Sequence, residues 1–508
     1  MKPEFDVAVI GLGPAGTLSS LFLDDSSIKV LCIDKDTEIY NLPRAVTIDD
    51  EGLRMLQRLN LEKIYLDNGT QVEGAYFLDN NLKEISGIKM PEGLITKNGW
   101  MPSLMFHQPF TDSLLRKKLL STDCSIQLGT ELIDIIPRDN YYEIKTLDVK
   151  REKKNSYTTK YVLGADGASS KVRKIMQIEH EDLDYDKNWL VVDVELNIKN
   201  KLPNYAAQIC DPTRICTYIP AHLPFRRWEF ILLEGETKEE ILKQEKIQEL
   251  ISPWLKASDY KILRATVYRF HSLLAKHFKK DNCFVMGDAA HQNPPFMGQG
   301  MMSGYRDALN LSWKLTGVIK KYFPESVLDT YESERKPHSR FVVEGSASIG
   351  KLITAYAAGV QNGDISSVPK ELVEKGYGSY SIPPLKEGIF FNGSSDKDSM
   401  AGFLFPQPLL MEGLKCKKRL DNLLGKNFCV VSKKIVELEL HQKKFYEKIK
   451  AEFVILDKDI LELNPLIKDM MVKNDIYILR PDRHIFGSTS DKISFYDLTK
   501  DLQKRLSI

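Results

Sequence analysis

The feature that most limits how this chain can fold is a glycine run, Gly11-Leu12-Gly13-Pro14-Ala15-Gly16, placed directly after a Val- and Ile-rich stretch at residues 5–10. That stretch reads as a strand, the segment from the glycines to about Leu23 as a helix, and residues 29–33 as a second strand ending at Asp34. In such a βαβ unit Gly11 makes the tight turn, Gly13 lets the backbone approach a pyrophosphate, and Gly16 lets helix and strand lie close together. Asp34 falls eighteen residues beyond Gly16, where an acid reaches a ribose hydroxyl, and Lys35 is next in the chain. The pattern predicts a dinucleotide and leaves FAD and NAD both open.

Residues 282–315, NCFVMGDAAHQNPPFMGQGMMSGYRDALNLSWKL, carry a second constellation. A buried strand at 283–286 leads into a Gly287-Asp288 turn, a Pro294-Pro295 loop, a glycine pair and an amphipathic helix from Met301. Asp288 sits at a strand end in a parallel sheet, where a carboxylate can accept hydrogen bonds from a chain of sugar-like hydroxyls. Pro294 and Pro295 hold the backbone extended, and Gly298 and Gly300 let it pass close to something flat. The helix start at Met301 and Met302 has free N–H groups that favour negative charge, and an anionic reduced flavin ring is one ligand that fits.

Other segments supply candidates. Arg44, in a loop after the βαβ unit, could contact pyrophosphate or ring, or could simply be solvated. A helix is expected at 51–59, a first inserted sheet at 72–105, and a further helix at 110–120 opened by Phe106-His107-Gln108-Pro109. A meander at 125–161 ends in a strand, the Gly164-Ala165-Asp166-Gly167 turn and a helix start. Asp166 and Arg173 there could serve a nucleotide or merely shape the helix cap. Residues 182–270 read as a second strand-rich insertion, interrupted by a helix at 238–255. The two insertions predict one β-rich domain laid over the cofactor.

The helical region after Met301 is expected to run to about Gly359. Residues 361–398, rich in Gly and Pro, read as a linker. From 399 to 508 the order strand, helix, strand, hairpin, helix suits a small thioredoxin-like domain, redox-silent because it has no CxxC. The catalytic body would then span 1–360, and the tail would dock on it or on a second subunit, giving a homodimer.

The composition narrows the functional classes. A formal net charge of +1 gives no electrostatic case for nucleic acid or acidic membranes. Seven cysteines, an odd number without CxxC, fit a reducing compartment. Nine histidines form no HExxH or His/Cys cluster, so no metal site is expected. No apolar run approaches the ~18 residues that span a bilayer. Glycines and a proline interrupt the N-terminal apolar stretch that a signal peptide would need, so the expected location is cytoplasmic.

Taken together, GLGPAG, GADGASSKVR and GDAAHQNPPFMGQGMMSGYRDALNLSWKL resemble in order and spacing the three nucleotide motifs of the class A flavin-dependent aromatic hydroxylases. PRAVTIDDEGLRML, FHQP, RRWEFILLEGE, VYRFHSLLAKHF, YESERKPH and FPQP resemble the 3-(3-hydroxyphenyl)propionate hydroxylase branch, and RPDRHIFG resembles that family's thioredoxin-like tail. The resemblance implies an α/β fold, a Rossmann-like FAD domain with an inserted β-rich substrate domain and a C-terminal thioredoxin-like domain. It puts Asp34 on the adenosine ribose, Arg44 and Gln108 near pyrophosphate and ribityl chain, and Asp288 on the ribityl hydroxyls with Gly287 and Pro295 flanking it. The backbone from Gly298 through Gly300, Met301 and Met302 would meet the flavin pyrimidine edge. Asp166 would belong to the motif linked to FAD and NAD(P)H. Asp34 and Asp112 stand where the family usually has Glu, and both keep the charge.

The chemistry so implied is that NAD(P)H, a transient co-substrate, reduces noncovalently bound FAD. O₂ then adds at the flavin C4a, and the hydroperoxide passes one oxygen to an electron-rich ring. The absence of a second GxGxxG agrees with a nicotinamide that visits rather than resides. Tyr218, His222 and Arg226 are the candidates for the phenol-facing side. Three readings are open: a phenolic-ring hydroxylase, a flavin monooxygenase on a larger polyketide or antibiotic-like ring, and a flavoprotein without turnover that binds an aromatic ligand.

Overall fold

Four chain segments far apart in sequence end side by side in the computed structural model, which describes residues 2–197, 202–378, 382–391, 400–412, 415–462 and 464–507. Strand Phe5–Ile10 pairs in parallel with Val30–Ile33 on one side and Lys153–Gly164 on the other, and the latter pairs in parallel with Cys283–Val285. Their registers place Ile10, Ile33, Gly164 and Val285 at one carboxyl edge. Ser125–Gln127 completes the parallel set beyond Val30–Ile33. Val7, Ala8, Val9, Leu31, Cys32, Val162 and Leu163 are fully buried. That continuous apolar run is what a strand covered on both faces requires.

Helix Pro14–Asp25 packs between Gln108–Leu119 and the long helix Gly300–Ile319. Its contact with the long helix needs small residues. A Cβ on Gly304 would lie 3.1 Å from the Ala15 Cβ and 3.4 Å from the Gly287 Cα.

Both expected insertions join one eight-stranded sheet. Its neighbours run Glu84–Lys89, Gly74–Leu78, Ala206–Ile209, Cys216–Ile219, Phe225–Ile231, His180–Leu196, Tyr260–Ala275 and His291–Gln292. The last strand links this sheet to the Gly287 turn. Ser103–Phe106, expected in the same insertion, instead pairs with Thr47–Asp49 and Gly69–Gln71 in a separate small sheet. The helix expected over 238–255 is two helices, Lys238–Ile241 and Gln244–Ile251, because Lys243 turns extended at ψ 136°. Ile241, Ile247, Ile251 and Leu255 cover the outer face of the sheet, against Leu190, Val192, Val194, Trp228 and Phe230.

The stretch expected as a linker contains a helix, Lys370–Gly378. Val368, Leu372 and Val373 lie against Ile353 and Ala357 of the long helix Thr330–Gln361, and this apolar spacing outweighs the Gly and Pro punctuation around it. Gly393 and Ser394 lie outside the described residues.

Beyond it, a four-stranded sheet runs in the order Glu452–Ile455, Cys429–Ser432, Ile476–Leu479, Ile485–Ser488. The first two strands are parallel and joined through helix Leu440–Lys448; the others are antiparallel, and helix Phe495–Arg505 comes after them. This unit docks on the body through a fully buried ionic cluster. Arg480 donates to both Glu334 oxygens (2.9 and 2.8 Å) and to Asp482, while Lys314 donates to Glu334 at 2.9 Å and Trp313 Nε1 to Asp482 at 3.0 Å.

A second buried carboxylate fixes the turn at the carboxyl edge. Asp307, with no solvent exposure, accepts from Gly287 N (3.0 Å), His291 Nε2 (2.7 Å) and Arg335 Nε (2.8 Å). Burial alone would raise its pKa, but His291 and Arg335 outweigh burial and hold it at about 2. Folding thus lowers this group from the ~3.9 of an unfolded aspartate, so its contribution is complete above pH ~4 and is lost as pH falls through its folded value. Asp307→Asn should destabilise the protein by about 3–5 kcal/mol in urea titrations, as expected when one partner of a buried pair is removed. Wild-type stability should also fall more steeply than the variant's over that acid range, measured by the same titration at successive pH values.

Candidate active site

The glycine loop divides into internal constraints and an open surface. Gly11 has φ +91°, and a Cβ there would stand 2.5 Å from the Ala165 carbonyl oxygen; a Cβ on Gly16 would fall 1.9 Å from the Gly11 oxygen. Those two are glycine because the protein itself leaves no room. At Gly13 a Cβ would meet nothing within 4 Å, so this is the face that a ligand can approach. Pro14 opens the helix at its first turn, where a missing N–H costs nothing.

Asp34 closes the loop from below: its Oδ2 accepts from Leu12 N at 2.7 Å and lies 3.5 Å from Arg116 Nη2. Lys35 is exposed. Arg116, in the last turn of helix Gln108–Leu119, is not marked by any motif in the sequence. It is buried, donates Nη2 to Leu12 O at 3.1 Å, and leaves Nε and Nη1 without a partner among the described residues. Orphaned guanidinium donors under a glycine loop fit an anionic ligand such as a pyrophosphate.

Asp166 has little left for a ligand. Its oxygens accept from Ser170 Oγ (2.5 Å), Lys171 N (2.6 Å) and Val172 N (3.0 Å), capping helix Lys171–Ile175. Arg173 Nη1 reaches Ala168 O (3.2 Å) and Ala289 O (3.4 Å), tying this turn to the one at Gly287. The open position in this turn is Gly167, with φ +78° and nothing within 4 Å of a Cβ.

Asp288 is exposed, and no described residue hydrogen-bonds its carboxylate. Pro295 starts a short turn, Pro295–Met297, that ends at Gly298 with φ +64°. A Cβ on Gly298 would lie 2.5 Å from Thr47 Cγ2, so the loop is seated against strand Thr47–Asp49. Arg306 and Asp49 brace it: Gln299 Nε2 donates to Asp49 (3.0 Å), and Arg306 donates to Gln299 Oε1 (2.8 Å) and Glu51 (2.8 Å). The long helix begins at Gly300, one residue before the expected start. The Met302 side chain is buried against Gly52, so its backbone N–H, with those of Gly300 and Met301, is what this helix start offers.

The Arg44 loop is clamped through its backbone. Gln108 Oε1 accepts from Arg44 N (2.8 Å) and Ala45 N (2.7 Å), while Arg227 donates to Pro43 O (2.6 Å) and Arg44 O (2.8 Å). Gln108 Oε1 therefore positions the loop. The Arg44 side chain is exposed, its guanidinium 4.8 Å from the Tyr40 ring centroid. Burial pushes the Asp112 carboxyl up to about 7 against the opposing hydrogen bond from Gln108.

Two of the phenol-facing candidates lie on the wrong side of the inserted sheet. Tyr218 packs at Trp228 in the outer core with its hydroxyl on Pro203 O (2.8 Å), and Arg226 Nη1 is held by Phe225 O (2.7 Å) and Ala221 O (3.2 Å). The strand period of two explains this: Trp228 and Phe230 belong to the outer core, so Arg226 points outward with them and Arg227 and Glu229 point inward. His222 sits at the sheet's rim, Nδ1 2.8 Å from Thr70 Oγ1. Burial lowers its pKa and that of His107, which stacks on Phe225.

The inner face carries a buried layer: Arg227 Nε and Arg264 Nε both donate to Asp193 at 2.7 Å, and burial pushes nearby Glu229 up to about 7. Above that layer Tyr268 is half-buried and receives Arg264 Nη1 at 3.1 Å. Its pKa is raised by burial, with Arg264 opposing and Tyr40 adding to the rise. Phe270 continues the same face; it stacks on Trp189, and Phe296 from the Pro-Pro loop meets Trp189 edge-on at 5.3 Å between centroids. Tyr268 thus stands beside Tyr40 and Arg44, and Phe270 extends the aromatic face from it toward Trp189 and Phe296. Trp228 and Phe230 in the RRWEF motif, read as outward, would have marked Arg227 as inward from sequence alone.

Comparison with known proteins agrees with this geometry. Residues 4–346 match the family model described as FAD binding domain. The chain is 28% identical over 519 residues to the probable NADH-specific resorcinol 4-hydroxylase of Rhodococcus jostii (strain RHA1), covering 99% of this chain and 95% of the relative. It is 30% identical over 449 residues to the 3-(3-hydroxy-phenyl)propionate/3-hydroxycinnamic acid hydroxylase of Burkholderia cenocepacia (strain HI2424), covering 84% and 78%. Among solved structures, aklavinone-11 hydroxylase with FAD and aklavinone superposes with TM-score 0.81 at 18% identity, and the flavin-dependent monooxygenase PieE with FAD and substrate with 0.80 at 16%, each over the full length of both chains. The parallel-sheet edge with its open glycines, the orphaned Arg116 donors and the free Asp288 carboxylate match a FAD cradle, and the chain belongs to the FAD-dependent monooxygenases of the class A aromatic hydroxylase family.

Proposed function

We propose that this protein hydroxylates a phenolic ring, using NAD(P)H and O₂ with FAD held noncovalently. The observation that carries this reading is the half-buried pair Tyr268 and Phe270 on the inner sheet face, with Tyr268 beside Tyr40 and Arg44: an aromatic face for a ring, with one hydroxyl to orient a phenol. The two curated relatives, whose names are those of phenol-type hydroxylases, support it. Bound FAD supplies the hydride and O₂ chemistry. For the protein's part, Arg116 and the open face at Gly13 receive the pyrophosphate, Asp288 accepts from ribityl hydroxyls, and the N–H groups of Gly300 to Met302 meet the pyrimidine edge. Tyr268 orients the substrate hydroxyl, and the layer of Arg227, Asp193 and Arg264 holds Tyr268 and the Arg44 loop in register.

We further read residues 1–360 as the catalytic body, with its substrate sheet drawn from 72–105 and 182–270, and the part from 399 as a thioredoxin-like domain. The strand order and directions, with a parallel pair bridged by a helix and then an antiparallel hairpin and helix, support that assignment. Cys429 there is fully buried, and burial pushes its thiol up to about 12, which suits an inert side chain. Among the described residues no helix is long and apolar enough to cross a membrane, and no group of His, Cys, Asp and Glu could hold a metal ion.

The purified protein should be yellow, and Asp288→Ala should weaken FAD binding by at least about tenfold, the ~1.5–3 kcal/mol of a charge-assisted hydrogen bond. Equal FAD affinity by fluorescence titration would remove Asp288 from the site. A panel of phenolic acids and polycyclic phenols should stimulate NAD(P)H oxidation and give a product one oxygen heavier by mass spectrometry. With that substrate, Tyr268→Phe should keep FAD and raise KM roughly two- to tenfold, the loss of one hydrogen bond. An unchanged KM would return Tyr268 to a packing role. A Cys416→Ser, Cys429→Ser double variant should keep coupled turnover; losing it with FAD and fold intact would show that the C-terminal domain takes part in electron transfer.

A further inference from the structure

Where the C-terminal unit meets the body, a cavity of about 210 Å³ lies between helices Asp50–Gln57, Gly300–Ile319 and Thr330–Gln361 and the turns at 421–426 and 481–484. Its wall is rich in cations: Arg54, Arg58, Arg306, Arg335, Lys426 and Arg483, against the acids Glu51, Asp421 and Asp482. Four of these cations have carboxylates of their own. Arg54 forks onto Asp421 (2.7 and 2.8 Å), Arg306 pairs with Glu51, Arg335 with Asp307, and Lys426 with Asp25 (2.6 Å).

The remaining two do not. Arg58 spends Nη1 on Pro481 O and Nη2 on Lys426 O, both at 2.6 Å, which are neutral acceptors. Arg483 is 6% exposed, gives Nη2 to Gly425 O, stands 3.7 Å from an Asp421 already forked by Arg54, and leaves Nη1 buried without a partner among the described residues. Arg58 is partly exposed, and desolvation by the surrounding protein lowers its pKa to about 10, with the Arg483 charge adding to the fall. Arg483 also sits at φ +68°, a conformation that glycine adopts more easily. An arginine thus occupies a glycine-like turn and lines a charged cavity. The acids Asp421 and Asp482 do not balance this pair, because Arg54 holds the first and Arg480 the second.

We propose that this interdomain cavity is a binding site for a small oxyanion, a phosphate or a short dicarboxylate, held between Arg58 and Arg483. The site is distinct from the cofactor cradle, although Arg306 lines the cavity and also donates to Gln299 beside Gly298. An anion there would neutralise the two arginines and clamp the C-terminal unit to the body, so its first effect is on stability.

The test uses the FAD-saturated full chain, so that the pyrophosphate site is filled, and tracks Tm against inorganic phosphate in one arm and malonate in the other, each with sodium chloride at matched ionic strength. A saturable rise in Tm with one of the two anions, absent with chloride, is expected and identifies the oxyanion class. Arg483→Gly suits the turn and removes the guanidinium, and Arg58→Gln keeps most of its side-chain bulk; each should raise the half-saturating concentration by at least about tenfold. The same curve in wild type and both variants, or a response no larger than that to chloride, would overturn the proposal.

Discussion

The site rests on a carboxylate buried beneath it. Asp307 is buried, yet its oxygens are met by a backbone N–H, an imidazole and a guanidinium, and those partners come from the Gly287 turn, the His291 strand and the Thr330–Gln361 helix. A buried charge is tolerable only when it is paired and hydrogen-bonded. Satisfying this one therefore fixes how the turn, the Pro-Pro loop and two helices sit together, and with them the direction in which Asp288 projects. Gly304 and Ala15 complete the arrangement by letting the long helix close on the dinucleotide helix.

The same device recurs at both other junctions. Between the two sheets, Arg227 bonds Asp193 on its own sheet and the Pro43 and Arg44 carbonyls on the other side, so the position of the Arg44 loop is decided by a cation it does not contain. Between body and C-terminal unit, Glu334 would be raised by burial, but Arg480 and Lys314 hold it at about 2. Burial in turn pushes Lys314 down to about 8 in spite of Glu334. Such clusters contribute little net stability compared with apolar packing, but a wrong docking would strand a bare charge, which makes the observed docking specific.

Chemically, the molecule separates holding from reacting. The groups that hold, Asp34, Asp166, Gln108 and Arg227, each bond backbone partners. Among the described residues, the groups left unsatisfied or exposed, Asp288, Arg116 Nε and Nη1, and the open faces at Gly13 and Gly167, gather about the carboxyl edge of the parallel sheet. That division gives several residues of the nucleotide motifs a part in shaping their own turns.

By itself the sequence determined the dinucleotide unit, the Gly287-Asp288 turn with its glycine pair, and the presence of one sheet built from two insertions, because each depends on local signals: strand period, turn chemistry and the φ values that only glycine adopts freely. The helix inside 361–398 was legible as spaced apolar residues, but its Gly and Pro neighbours hid it. Only the tertiary structure decided which acids and amides are spent on the backbone and which face outward, since that depends on partners distant in the chain. Arg227 is one case, Arg116 another. The side on which Tyr218 and Arg226 fell was decided in the same way: a strand alternates faces by geometry, but which face is covered by helices Lys238–Ile241 and Gln244–Ile251 and which faces the cofactor domain is a property of the packed whole.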